Sequence, residues 1–401
     1  MHRPYLRLWR SWRTLSLLCV LASCYAWRSL ARKCHALILS GGGDKGAYEA
    51  GAIKGLVESL DEAERAWKVV SGVSVGALNA MPSLHYKVGD EAEWASFLER
   101  TWMSIRKEYV YRNWPFGLPQ GLLFKPSLYD SSPLQTHLHR IFADFEKKDR
   151  KLLITATDMT FATLKTWNET EPLSKLISAV SASAALPGIF PPLTIDGVAY
   201  NDGGILADLN IEAAIGRCLM DGGAKRERDV IIDIILCSPA HQPIRNVSNE
   251  NTIRVLLRAE AIRNFNSAVR MLERATTTFP NASFRFLIYP NASFPGNSLD
   301  FDPEELRDMY AQGNRDAQDM VKRWRETRPE PKWPHWPFPR REDDEQPGLS
   351  KVFREAWQRA FQINPPGPPP HRHHRWFGQE ATDEGQERRR NETTTTTLRY
   401  I

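Results

Sequence analysis

Three short stretches carry residue types that could do chemistry together. In Gly72-Val73-Ser74-Val75-Gly76 a serine sits between two glycines, with strand-like Val69–Val73 before it and helix-like Val75–Leu84 after it. A tight turn of the form G-x-S-x-G exposes the serine hydroxyl, and its glycines relieve crowding around it. The N–H after the serine, on Val75, can join an oxyanion hole. In Gly41-Gly42-Gly43-Asp44-Lys45-Gly46, again between a strand-like and a helix-like run, three glycines free the backbone. They present bare N–H groups at a helix N-terminus, where the dipole favours an anion. Alone, this loop also matches a dinucleotide fingerprint or a plain turn. Asp202-Gly203-Gly204 follows the strand-like Val198–Asn201 and by itself is a turn signal. A serine is a poor nucleophile until a base accepts its proton. If Asp202 is that base, its ordinary pKa of about 3.9 must be raised by a partly dry site.

The segments that must position these motifs alternate in type from His35 to about Thr327. His35–Ser40, Val69–Val73, Leu152–Asp158, Val230–Cys237 and Phe284–Tyr289 are short apolar runs of the kind that form buried strands. Ala47–Leu60, Val75–Leu84, Ile253–Thr276 and Pro303–Arg325 have helical spacing. Alternation of this kind predicts an α/β layer with a largely parallel sheet. The segment from Glu91 to Leu138 is expected to shape an apolar groove.

The ends differ in composition. Residues 1–33 form a leader: Arg3, Arg7, Arg10 and Arg13 precede the apolar Leu15–Tyr25, which is short for a spanning helix. A secretory signal peptide is the first reading. A bacterial lipoprotein signal acylated at Cys24 and a mitochondrial presequence are the alternatives. Sequons at Asn168, Asn246, Asn281, Asn291 and Asn391 lean toward a eukaryotic secretory route. Residues 34–327 form the expected catalytic domain, and 328–401 a Pro-rich tail unable to bury a core. Within that tail, Ser350–Ile363 is amphipathic, and His371, His373 and His374 are read as solvated in preference to a metal site. The net charge is +5, a mild basic excess compatible with an anionic membrane surface. The five cysteines, Cys19, Cys24, Cys34, Cys218 and Cys237, show no metal-finger spacing, and Cys218 and Cys237 are expected as thiols. Trp102, Trp114 and Trp167 are expected as core or interface anchors. His85, His137 and His139 are expected as surface or core residues and not as ligands.

Taken together and in this order, the glycine loop, the elbow about 30 residues later and the Asp-Gly-Gly resemble the motif set of patatin-like phospholipases. Ser181–Pro192, Thr155–Met159 and Tyr310–Gly313 resemble further segments of that family. The resemblance implies a patatin-like three-layer α/β fold, with a Ser–Asp dyad in place of a triad. It implies Ser74 as nucleophile and Asp202 as base. Gly42, Gly43, Lys45 and Val75 would form the oxyanion hole, and the Lys45 cation would steady the loop or attract an anionic head group. Gly41, Gly46, Gly72, Gly76, Gly203 and Gly204 complete the motifs. The expected reaction is hydrolysis of acyl esters in phospholipids or other glycerolipids. Its expected partners are a lipid substrate and a membrane or lipid-droplet surface, with no nucleic acid and no cofactor or metal. Three other readings stay open: a Ser–His–Asp esterase using His241, a catalytically silent lipid-binding relative, and a dinucleotide site on the glycine loop with Glu58 or Asp61 as its acid.

Overall fold

The five apolar runs become the parallel part of one sheet. The structure is a computed structural model that describes residues 33–239, 246–291, 294 and 299–327. The expectations for the leader, Cys19, Cys24, His241 and everything after Thr327 lie outside the described residues. The strands are β1 (Cys34–Leu39), β2 (Trp67–Val73), β3 (Arg112–Asn113), β4 (Tyr129–Asp130), β5 (Lys151–Asp158), β6 (Thr163–Asn168), β7 (Leu193–Ile195), β8 (Val198–Asp202), β9 (Val230–Ile235) and β10 (Ser283–Ile288). The main sheet runs β10-β9-β1-β2-β5-β8-β7, with β6 also on β5. Strands β10 through β5 are mutually parallel, and β6, β7 and β8 join antiparallel. The mixed α/β fold with a central, mostly parallel sheet is therefore the one expected.

The helices are α1 (Gly46–Ser59), α2 (Glu62–Arg65), α3 (Val75–Ala80), α4 (Glu91–Ser104), α5 (Lys107–Val110), α6 (Gly117–Phe124), α7 (Ser132–Ile141), α8 (Leu173–Ser183), α9 (Ile211–Met220), α10 (Thr252–Thr278) and α11 (Pro303–Thr327). They bury both faces of the sheet, so β1 is apolar without alternation and wholly buried. Its side chains point to opposite faces in turn. Leu37 and Leu39 join a core with α1, α4 and α11, while Ala36 and Ile38 join a second core with α9 and α10. The helix expected over Val75–Leu84 is α-helical only to Ala80 and continues as a 3-10 turn, Met81–His85. Pro82 has no N–H for the next α-type bond, which accounts for the change.

One expectation is overturned. Cys218 is not a thiol but is disulfide-bonded to Cys34, with Cα atoms 5.6 Å apart across a sequence separation of 184. No local spacing signals such a pair; packing of α9 beneath the start of β1 creates it. Cys237 is free and buried, as expected.

A single strand sets the distance between the chemical motifs. Along β5, Thr155 pairs with Val73, the last residue of β2. The next residue, Ala156, pairs with Asp202 at the end of β8. The serine that follows Val73 and the aspartate that ends β8 thus meet at the point where the β2 pairing gives way to the β8 pairing.

Helix α1, which carries the glycine loop at its start, is clamped by α11 through three glycines, Gly51, Gly55 and Gly313. A Cβ on Gly51 would lie 1.9 Å from the Tyr310 carbonyl oxygen, and one on Gly313 would lie 1.9 Å from that of Tyr48. The backbones touch, so neither position has room for a methyl group. Gly313→Ala is expected to lower the unfolding free energy by about 2 kcal/mol or more, as overpacking against rigid backbone does. A denaturant melt measures this directly; an unchanged midpoint would show that the two helices part at little cost.

Candidate active site

Ser74 is held in a backbone conformation few side chains adopt, with φ 55° and ψ −125°. Such strain persists only where surrounding structure enforces it. Here it is enforced by close approach: a Cβ on Gly72 would lie 2.2 Å from the Gly76 oxygen, and one on Gly76 2.5 Å from the Leu39 oxygen. The Gly76 N–H donates to the Ser40 carbonyl at 3.1 Å, tying the elbow to the end of β1. The Ser74 N–H donates to Ser183 Oγ at 2.8 Å, and that hydroxyl donates to the Thr155 carbonyl at 2.6 Å. Ser183, from the expected Ser181–Pro192 segment, therefore fastens the elbow to β5.

The Ser74 hydroxyl donates to Asp202 Oδ2 at 2.6 Å. The second carboxylate oxygen, Oδ1, accepts from the Gly204 N–H at 2.8 Å. Thr157 Oγ1 donates to the Asp202 carbonyl at 3.0 Å and fixes its backbone. Asp202 is 3% exposed, and burial pushes its pKa up to about 7 against the opposing hydrogen bonds from Ser74 and Gly204. Glu260 adds to the rise, and Arg263 offsets it. Asp202 thus sits in dry surroundings.

The glycine loop opens a 3-10 turn over Gly43–Lys45 that runs into α1. Gly43 has φ 66°, where a Cβ would be strained. Gly42 and Gly43 at the start of this turn, and Val75 at the start of α3, hold N–H groups of the kind a helix N-terminus leaves unsatisfied. All three line one cavity with Ser74 and Asp202. Lys45 lines it too, but its N–H donates to the Gly42 carbonyl at 3.4 Å, so its free contribution there is the side-chain cation.

Several residues that sequence reasoning did not single out complete the site. Asp208, 1% exposed, accepts the Gly41 N–H at 3.1 Å and so braces the loop; burial and the neighbouring Asp202 hold its pKa well above the ordinary carboxylate range. Asn79 on the elbow helix donates to Glu49 Oε2 at 2.8 Å and accepts from Trp102 Nε1 at 2.8 Å. It thereby connects α1, the elbow and the cavity wall. Leu257, Glu260, Ala261 and Asn264 from α10 cover the cavity near Asp202.

The walls are apolar, with Leu78, Phe97, Trp102, Leu138 and Phe190 among them. Phe97 to Leu138 supply much of one side, as expected for the Glu91–Leu138 segment. Trp102 and Trp167 are buried. Trp114 is half-buried, and its Nε1 donates to the Ser127 carbonyl at 3.0 Å. His137 is half-buried and lines the cavity; His85 stacks on Phe145.

Residues 37–215 match the family model described as patatin-like phospholipase. That stretch, which contains the glycine loop, Ser74 and Asp202, is similar to the domain that this model describes. No curated protein matches the chain. Among solved structures, VipD from Legionella pneumophila is similar at 16% identity, over 73% of this chain and 67% of that one, with a TM-score of 0.35.

A carboxyl with a raised folded pKa binds its proton more tightly folded than unfolded. Stability therefore falls as pH rises from the ordinary value of 3.8 to about 7 and stays lowered above it. Replacing Asp202 by Asn removes this cost. Asp202→Asn is expected to raise the unfolding free energy by about 1–3 kcal/mol above pH ~7, with the gain vanishing below pH ~4. Melts at the two pH values check it; a loss of stability at both would contradict the burial argument.

Proposed function

We propose that this chain hydrolyses acyl esters of phospholipids or related glycerolipids, with Ser74 as nucleophile and Asp202 as general base. The observation that carries the reading is the Ser74 Oγ to Asp202 Oδ2 hydrogen bond, 2.6 Å long, within an apolar cavity. Asp202 takes the hydroxyl proton as Ser74 Oγ bonds to the ester carbonyl carbon. The Gly42, Gly43 and Val75 N–H groups receive the oxyanion. As the C–O bond to the glycerol oxygen breaks, Asp202 returns the proton to the leaving alcohol. A water molecule, giving its proton to Asp202, then attacks the acyl-enzyme carbonyl; Asp202 passes that proton to Ser74 Oγ as its bond to the acyl carbon breaks, and the fatty acid departs. An acyl chain suits the cavity walls, and the Lys45 cation suits an anionic head group.

A triad through His241 is the rival. The serine hydroxyl already donates to a carboxylate, so proton transfer needs no imidazole between them. A membrane-associated protein of the secretory route is the location we favour. The leader, the sequons and the Cys34–Cys218 disulfide all support it, since disulfides persist in oxidising compartments.

The test is hydrolysis of a medium-chain p-nitrophenyl ester and of phosphatidylcholine vesicles by the purified chain. Ser74→Ala and Asp202→Ala are each expected to cut kcat/KM by at least about 10³-fold, while His241→Ala leaves it unchanged. Activity retained in Ser74→Ala, or lost in His241→Ala, would overturn the assignment.

A further inference from the structure

Helix α6 is apolar in sequence, GLPQGLLF, yet its one buried residue is Gly121. A Cβ there would lie 2.5 Å from the Leu128 carbonyl oxygen, so the helix rests on its neighbour by the face that lacks a side chain. Its large side chains point away from the protein. Phe116, Leu122, Leu123 and Phe124 are 69–81% exposed, and Leu118 is 41% exposed. Contiguous apolar exposure of this kind marks an interaction surface.

Two further features define what it would meet. Exposed Arg106, Lys107, Arg112 and Lys125 flank the helix along the sequence, against the single exposed acid Glu108 between Arg106 and Lys125. Arg112 is paired with Asp130, leaving three cations for an external anion. Lys125 lies 4.9 Å from the Trp114 ring centre, and Trp114 is half-buried, an aromatic–cation arrangement suited to a membrane–water interface. Secondly, α6 is joined to the cavity. It lies between β3 and β4, whose pairing is followed by Leu128 N–H to Gly188 O at 2.9 Å and Tyr129 N–H to Ile189 O at 3.0 Å. The next residue, Phe190, lines the cavity, as does Val110 just before β3. No described helix is long and apolar enough to cross a membrane.

We infer that α6 and Phe116 form a docking surface for an anionic lipid bilayer, inserting their apolar side chains among the acyl chains while Arg106, Lys107 and Lys125 engage the head groups. The surface holds the cavity at the membrane from which its substrate comes. The inference rests on the lipid-hydrolase reading, but binding is measured without turnover, so the two can fail separately.

The experiment is co-sedimentation of the full chain, carrying Ser74→Ala so that vesicles stay intact, with phosphatidylcholine vesicles with and without phosphatidylserine. Binding is expected to be at least about fivefold stronger with phosphatidylserine. Leu122→Asp, Leu123→Asp and Phe124→Asp together should weaken it at least about tenfold. In the Ser74 background the same triple variant should hydrolyse a soluble short-chain ester at the unaltered rate, which shows that the fold survives. Vesicle binding that is absent, insensitive to the triple variant or indifferent to phosphatidylserine would overturn the proposal. So would a triple variant that converts a dimer to a monomer without changing vesicle binding, which would make α6 a contact between copies of the chain.

Discussion

Strand β5 is the ruler of this site. It pairs with β2 up to Thr155 and with β8 from Ala156 onward, so the end of one strand and the end of the other share an edge. From that change of partner comes the contact between Ser74 and Asp202, residues far apart in sequence. The supporting contacts refer to the same strand. Ser183 joins the elbow N–H to the Thr155 carbonyl, and Thr157 holds the Asp202 carbonyl. A shift of β8 by one residue would turn Asp202 to the opposite face of the sheet and away from the serine.

Holding the carboxyl there is unfavourable in itself. Asp202, Asp208 and Glu49 are buried within the same region, and burial raises the pKa of each. What offsets this is the large two-sided core around β1, the α1–α11 clamp and the Cys34–Cys218 disulfide. The strained φ of Ser74 belongs to the same pattern, a local cost sustained by rigid surroundings. A dry, raised Asp202 is useless to stability and is what a serine needs from a base near neutral pH.

Much of this was legible in the sequence because it is local. The five strand runs, the long helices and the Gly72–Gly76 turn announce themselves by periodicity and glycine placement. The tertiary contacts did not. Asp208 is one acid in a loop, and only the fold brings it to Gly41. Glu260 and Asn264 resemble solvent-facing positions of a long helix until α10 is laid over the cavity. The Cys34–Cys218 pair has no spacing to read. Of the β7–β8 hairpin only β8 was legible, as the strand-like Val198–Asn201; the turn had a signal, Asp196-Gly197, both at positive φ, but β7 is three residues long and too brief to show alternation. The exposed apolar run of α6 falls within the Glu91–Leu138 segment expected to shape a groove, and composition alone cannot say which side of a helix has a neighbour.

Direct activation of Ser74 by a buried Asp202 makes the serine's reactivity follow the carboxyl's titration. The most direct measurement is the rate at which a fluorophosphonate labels the intact protein as a function of pH, with the adduct located by peptide mass. One adduct is expected, on Ser74, forming at a rate that climbs through a midpoint near pH ~7 and then levels as Asp202 loses its proton. An adduct on another residue, or a Ser74 rate that is flat through that range, would contradict it.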